Sequence, residues 1–182
     1  NKLREDYDVM VNFRFIEIHP DTPPDGASVD TLDYSTETWT EMMDGLAEMA
    51  REENVEFASN RRLANSHRAL LLAEAAKRLG ADTFYALHAK LYRAYFIQGR
   101  RIGSEQVLRE LATECGMDDA VVEAAWTSDE YEQILRQNMS MAVQAGVSGT
   151  PTYFIGGRRL IGAVAVEHLK SAAAEALERR VS

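Results

Sequence analysis

The side chains in this sequence that could carry chemistry are one thiol and four imidazoles. Cys115 is the single cysteine among 182 residues, so the sequence can form neither an internal disulfide nor a Cys-x-x-Cys pair. It directly precedes Gly116, at the predicted end of a helix, where the carbonyl-rich terminus disfavours a thiolate. We therefore predict a buried structural cysteine rather than a redox-active one. No catalytic residue can be assigned within these residues.

The four histidines do not have the spacing of a metal site. His88 and His168 fall in predicted helices and have no second ligand at metal-binding distance along the chain, so we expect no zinc site. His19 ends a predicted strand, and His67 opens a predicted helix. Their sequence positions alone favour a loop residue for His19 and a side chain of the capping region for His67. Neither a metal nor a cofactor is predicted.

The composition is that of an ordinary soluble globular protein, with 46% hydrophobic and 27% charged residues. The net charge of −9 argues against nucleic acid as a partner, because phosphate binding needs clustered Lys and Arg. The basic clusters are short pairs that we interpret as solvated surface: Arg61-Arg62, Arg100-Arg101, Arg158-Arg159 and Arg179-Arg180. No apolar run approaches the ~20 residues that span a bilayer, so we expect no membrane partner.

The first residues read as the end of a helix, and the sequence opens with Asn1 rather than Met. Because a natural start inside a helix is unusual, we expect further residues upstream. This leaves an export signal open.

Strand signals occur at both ends of the sequence. Residues 9–18 place Val9, Val11 and Phe13 at every second position, which predicts a strand that ends at the proline-rich residues 19–26. Residues 152–155 and 158–161 predict a hairpin around Gly156-Gly157, since glycine supplies the positive φ of a two-residue turn. A final helix follows, and its predicted apolar stripe is Val166, Leu169, Ala173 and Leu177.

The signals between about residues 38 and 145 are helical. Thr38 to Glu41 forms a capping box, which predicts the start of the first helix. A helix over about residues 66–79 should stop at Gly80. The later predicted N-caps are Asp82, Ser104, Asp118 and Ser128. Aromatic residues on these helices are interpreted as packing core rather than as a ligand box: Tyr92, Tyr95 and Phe96.

The order strand, helical block, hairpin, helix predicts an α/β protein in which a helical insertion interrupts the sheet. The predicted domains are residues 1–37 with 146–182, which contain the strands, and the inserted helical residues 38–145.

Four stretches of the sequence together resemble proteins of the DsbA family. The first is residues 145–155 with Gly162-Ala163, which resemble the cis-proline loop and last hairpin of that family. The others are residues 13–21 with their proline-rich continuation, residues 65–69 and residues 91–96. Within the family the sequence looks most like the FrnE-type group of dithiol-disulfide isomerases, and the likeness extends over essentially all 182 residues.

The resemblance implies a thioredoxin fold whose first strand and Cys-x-x-Cys helix precede the residues of this sequence. It also implies a cis bond between Thr150 and Pro151, packed beside the redox cysteines, where Gly149, Thr150 and Pro151 would bind an extended substrate. Without the resemblance, Pro151 reads as an ordinary proline at the start of a strand. Two histidines become candidates for the same groove: His67 as a lining residue and His19 as a neighbour that tunes a thiol.

The function implied first is that of a thiol-disulfide oxidoreductase or isomerase acting on a protein disulfide or a small thiol substrate. A second reading is a glutathione-using isomerase or kappa-class transferase, which would use a Ser in place of the first cysteine and glutathione as cofactor. A third is a redox-inert binding module, because the fold alone does not select among these functions. The resemblance favours the cytoplasm, which suits the lone cysteine. A homodimer is left open.

Overall fold

The computed structural model describes residues 2–32, 35–52, 54–58 and 62–181. Its helices are α1 Thr36–Glu52, α2 His67–Leu79, α3 Ala81–Tyr92, α4 Glu105–Thr113, α5 Asp119–Thr127, α6 Asp129–Gln144 and α7 Val166–Val181. Its strands are β1 Ala27–Ser28, β2 Arg62–Leu63, β3 Thr152–Ile155 and β4 Arg158–Ile161. Short 3₁₀ turns occupy Lys2–Glu5 and Val29–Thr31, and a π-helical turn, Arg93–Ile97, continues α3.

The chain divides into two compact units. One, here the hairpin unit, comprises Asn1–Arg14 and Gln137–Ser182; the other, the helical unit, is Phe15–Arg136. The predicted domain limits, residues 1–37 with 146–182 and residues 38–145, stay a prediction.

The core of the helical unit lies where α2 packs against α3 and α5. Leu71 and Leu72 of α2 and Leu87 of α3 are at most 1% exposed. Burying a leucine side chain contributes about 1.5–3 kcal/mol, so these three side chains supply much of the free energy that stabilises the packing of α2 in this core. Leu108 of α4 and Val122 of α5 complete this core.

Helix boundaries follow the predicted signals in most places. Gly80 ends α2 with φ of 118°, as predicted, but it is also the N-cap residue of α3, so Asp82 lies inside the first turn instead of capping it. The Ser128 hydroxyl accepts a hydrogen bond from the Glu130 amide at 3.2 Å and caps α6. Ser104 precedes α4 as predicted, although its side chain makes no capping hydrogen bond.

The first helix begins earlier than the predicted capping box. Its span opens at Thr36, and the Ser35 hydroxyl accepts a hydrogen bond from the Thr38 amide at 3.1 Å. The prediction of Thr38 as the capping residue was therefore wrong. Ser35 takes that role because it stands three positions before an amide that needs an acceptor.

In the hairpin unit, β3 and β4 pair antiparallel with Thr152 opposite Ile161. Gly156 and Gly157 form the turn with φ of 54° and 85°, as the sequence predicted. α7 packs against β3 and buries Ala172 and Ala173. Leu177 is 50% exposed, so the predicted apolar stripe of this helix stops short of it.

Residues 9–18 do not form the predicted strand. They run without regular secondary structure, and Met10 is 94% exposed. A strand needs a neighbour to accept and donate its ladder hydrogen bonds, and the described residues place none beside this segment. The described opening residues likewise form a 3₁₀ turn and not the end of an α-helix.

Two features of the helical unit differ from the prediction. β1 and β2, two residues each, pair antiparallel, so the predicted helical region contains a strand at Arg62–Leu63. The aromatics predicted as core are only partly so: Tyr92 is 55% exposed and Phe96 39%. Tyr92 ends α3 on the side away from the buried Phe84, Leu87 and Leu91, and Phe96 lies in the π-helical turn, which shifts the register after α3.

None of the helices in the described ranges combines the length and the apolar character needed to cross a bilayer.

Candidate functional site

The loop before β3 is built from the hairpin unit alone. α6 ends near Gly146, whose φ of 66° turns the chain. Arg159 of β4 donates from Nη1 to the carbonyl oxygens of Ala145 and Gly146, at 2.9 and 2.8 Å. These carbonyls belong to a helix end that has no intrahelical donors, so the guanidinium fixes the point where the loop begins.

The end of the loop is fixed by two further hydrogen bonds. The Thr152 hydroxyl donates to the Gly149 carbonyl at 2.6 Å, and the Gly162 amide donates to the Pro151 carbonyl at 2.7 Å. The peptide bond between Thr150 and Pro151 is cis. Both residues are exposed, and within the described ranges no hydrogen bond engages the Thr150 backbone. The loop thus presents one peptide unit to solvent from a fixed frame.

His67 lies in the helical unit and has a carboxylate at each ring nitrogen. Nδ1 is 3.0 Å from Oε2 of Glu17, and Nε2 is 2.8 Å from Oε1 of Glu132. Burial acts to lower the pKa of His67, but the hydrogen bonds and negative charges of Glu132 and Glu17 outweigh it, and the pKa lies above its usual value. Below that value the ring is an imidazolium that donates to both carboxylates.

The start of α2 is positioned by Asn65. Its Oδ1 accepts from the His67 amide at 3.1 Å, and its Nδ2 donates to the Thr22 carbonyl at 2.7 Å. The side chain of Asn65 therefore takes the capping role, while Ser66 makes no capping hydrogen bond. Sequence reasoning placed His67 in the capping region; the side chain itself is an ion-pair partner of Glu17 and Glu132, which the sequence did not single out.

The structure places two other histidines, His19 and His88, in different surroundings. His19 is exposed in a loop, where its carbonyl accepts from the Thr22 amide at 3.1 Å. His88 stacks near Phe84 and Tyr92, with centroid distances of 5.6 and 4.7 Å. Burial, aided by the charge of Lys77, lowers the pKa of His88 and keeps the ring neutral near pH 7.

Cys115 is partly buried in the turn after α4, where its amide donates to the Ala112 carbonyl at 2.9 Å. Burial raises the pKa of its thiol, and the nearby Lys90 offsets this only in part. A thiol held protonated is a poor nucleophile, so the geometry gives Cys115 no redox role. Across the described residues, no three side chains of His, Cys, Asp or Glu are arranged to hold a metal ion.

The predicted site residues therefore fall in different units. Gly149, Thr150 and Pro151 belong to the hairpin unit, whereas His67 and His19 belong to the helical unit. The assignment of all five to one substrate groove stays a prediction.

The profile of the DSBA-like thioredoxin domain matches residues 1–174. The chain belongs to this family, and its fold is a DsbA-like thioredoxin fold, mostly helical with small sheets.

Two solved structures and one curated relative are similar to this chain. The crystal structure of a "probable DsbA oxidoreductase" from Streptomyces coelicolor is 24% identical, with a TM-score of 0.75 over 88% of this chain and 72% of that one. The structure of a "putative protein disulfide isomerase" from Nitrosomonas europaea is 16% identical, with a TM-score of 0.66 over 80% of this chain and 76% of that one. The "uncharacterized protein YwbO" of Bacillus subtilis (strain 168) is 26% identical over 94 residues, 51% of this chain and 47% of that protein. The match thus spans about half the length of this relative.

Proposed function

We propose that this chain is the larger part of a thiol-disulfide oxidoreductase or isomerase whose Cys-x-x-Cys motif is encoded upstream of residue 1. The observation that carries the proposal is the family match over residues 1–174, which includes the loop before β3. The two similar solved structures, described as a "probable DsbA oxidoreductase" and a "putative protein disulfide isomerase", agree with it. Cys115 takes no part, because its thiol is partly buried and its pKa is raised by that burial.

The proposed reaction is dithiol exchange. The first cysteine of the motif, as a thiolate at a helix N-terminus, attacks one sulfur of the substrate disulfide and releases the other as a thiolate. The second cysteine, as a thiolate, then attacks the mixed disulfide, releases the remaining substrate thiolate and leaves an enzyme disulfide. Two electrons pass from the enzyme to the substrate, and the reverse sequence oxidises a substrate dithiol.

The loop before β3 supports a polypeptide substrate. Thr150 is exposed, and its amide and carbonyl have no hydrogen-bond partner in the described part of the chain. The bonds from Arg159, Thr152 and Gly162 hold the loop on either side. An extended peptide could pair with this fixed backbone whatever its side chains are, which is how strand addition gives broad specificity.

The test is insulin reduction by the intact protein, with residues upstream of Asn1 included. We expect turnover that is lost when the first cysteine of the upstream motif is replaced by Ser and retained in Cys115→Ser, the matched control. Inactivity of a protein with an intact dithiol would contradict the proposal, and so would loss of activity in Cys115→Ser. The residues upstream of Asn1 distinguish the three candidate functions before any assay. A lone Ser at the position of the first cysteine favours the glutathione-using enzymes, and the absence of both Cys and Ser there favours a redox-inert binding module.

A further inference from the structure

The cluster of Glu17, His67 and Glu132 joins three separated parts of the helical unit. Glu17 lies in the segment after Arg14, which has no regular secondary structure, His67 opens α2, and Glu132 lies in the first turn of α6. The two carboxylates are 50 and 65 positions from His67 along the chain. Their side chains are only 17% and 32% exposed, and that of His67 is 35% exposed. The contacts are therefore partly shielded from solvent, and they hold together segments that no local signal connects.

The protonation of the ring decides whether both contacts are favourable. An imidazolium has an N–H at each nitrogen and can donate to both carboxylates at 3.0 and 2.8 Å. A neutral ring keeps one N–H, so one carboxylate then faces a nitrogen lone pair. The loss of one proton thus removes an ion pair and turns one hydrogen bond into a repulsive contact.

The surrounding charges indicate which contact opens. Glu132 has a second cation, since its Oε2 lies 3.8 Å from Nη1 of Arg136. The described ion pairs of Glu17 include no cation other than His67. The other cations of α2 pair with different carboxylates: Arg68 with Glu105, Lys77 with Glu74, and Arg78 with Glu130. Neutral histidine generally keeps its remaining proton on Nε2, so the ring still donates to Glu132 and turns the lone pair of Nδ1 toward Glu17. Glu17 is therefore the carboxylate whose contact with the ring becomes unfavourable.

We propose that Glu17, His67 and Glu132 form a proton-controlled clasp, which holds the segment around Glu17 against α2 and α6 when His67 is protonated and releases that segment when it is not. Contacts on either side of the clasp do not depend on the charge of His67 and limit the opening to the residues between them. Asn65 holds the Thr22 carbonyl, and the Phe15 ring lies 4.4 Å from Nζ of Lys77 and 6.1 Å from the Phe84 ring. The clasp also lies near both places where the chain leaves the helical unit, after Arg14 and after Arg136.

The direction of the pH effect follows from the raised pKa of His67 in the folded protein. A group whose pKa is higher in the closed form than in the open form stabilises the closed form fully below the open-form pKa. That contribution is lost as pH rises through the closed-form pKa. The segment should thus be closed in mildly acidic solution and open progressively as pH rises above the ordinary histidine value of about 6.5.

The experiment is limited proteolysis of the intact protein by thermolysin from about pH 5 to pH 8.5, read as the rate of cleavage between residues 15 and 18 relative to a free peptide of the same sequence, so that the pH dependence of the protease is removed. We expect this relative rate to rise by about tenfold for each unit by which the closed-form pKa exceeds the open-form pKa. Cleavage within α2 should not increase over that range. The NMR resonances of the His67 ring give its pKa in the same buffers.

Two variants and a control separate the clasp from a general loss of stability. His67→Gln and Glu17→Gln should be cleaved rapidly within the segment at every pH, with unchanged circular dichroism. His168→Gln removes an exposed histidine of α7 and should keep the wild-type pH response. A pH response that persists in His67→Gln, or a His67 ring that titrates at or below its ordinary pKa, would overturn the proposal.

Discussion

Replacing either of the two neighbouring glycines of the hairpin turn by alanine should destabilise the protein, but by very different amounts. Both Gly156 and Gly157 have positive φ, 54° and 85°. A Cβ built on Gly156 would lie 2.2 Å from Cβ and 2.9 Å from Cα of Ala176 in α7, whereas a Cβ on Gly157 meets nothing within 4 Å. Gly156→Ala and Gly157→Ala therefore share the backbone penalty, and only the first adds a collision with a helix backbone.

The magnitudes follow from these two contributions. An L-residue in the left-handed region costs about 1–2 kcal/mol, which is the whole effect expected of Gly157→Ala. Forcing an extra methyl group into a filled contact adds about 1–3 kcal/mol, so Gly156→Ala should lose about 2–5 kcal/mol in all. The difference between the two losses in free energy of unfolding measures how closely the turn packs against α7.

Urea unfolding of the intact protein measures both losses, provided that the slope m stays the same. A second substitution checks the cause. Ala176→Gly removes the Cβ that is struck, so in the Gly156→Ala background it should cost less than it does alone, with a coupling free energy of about 1 kcal/mol. Equal losses for Gly156→Ala and Gly157→Ala, or the absence of coupling to Ala176, would refute the close approach of the turn to the helix.

Three further predictions use matched positions. Leu87→Ala should lower the free energy of unfolding by about 2–5 kcal/mol in urea titrations, because Leu87 is fully buried. Leu79 is 45% exposed, so Leu79→Ala should lower it by under about 1 kcal/mol in the same titrations. Ser128→Ala should cost about 1 kcal/mol through the lost cap of α6, and Ser104→Ala close to nothing, as thermal melting would show. Because burial raises the pKa of Cys115, its alkylation by iodoacetamide at neutral pH should be slower than that of an unstructured cysteine peptide; equal rates would contradict this.

The parts of the fold that the sequence predicted depend on neighbours a few positions away. The helices from α2 to α6 were found from apolar periodicity and from glycine and N-cap residues, and the hairpin was found from Gly156-Gly157. The residues that actually cap were less predictable. Ser128 caps α6 as expected, but α2 is capped by Asn65 and not by Ser66. Which side chain caps a helix depends on where its oxygen lies relative to the first backbone amides, and the sequence does not show this.

The parts that the sequence did not predict depend on residues far along the chain. Alternation over residues 9–18 gives the propensity of a strand, yet a strand forms only where a partner supplies its hydrogen bonds. The pairing of β1 with β2 is the converse case, because two residues on each side carry too little pattern to read. At the site, the loop of Gly149, Thr150 and Pro151 was predicted only from its resemblance to the DsbA family, since the residues alone favour an ordinary proline at the start of a strand.

The role of His67 could not be read for the same reason, and the choice of histidine there has a consequence that an arginine would not have. The Lys and Arg ion pairs keep their charge throughout the range in which proteins work, so their strength does not change with modest shifts in pH. His67 has a carboxylate at each ring nitrogen, whereas burial and the charge of Lys77 lower the pKa of His88. A change of pH near neutrality thus acts on the helical unit chiefly where Glu17 meets His67. An arginine at this position would fix the segment at all pH values, so the pH sensitivity of the clasp depends on the imidazole.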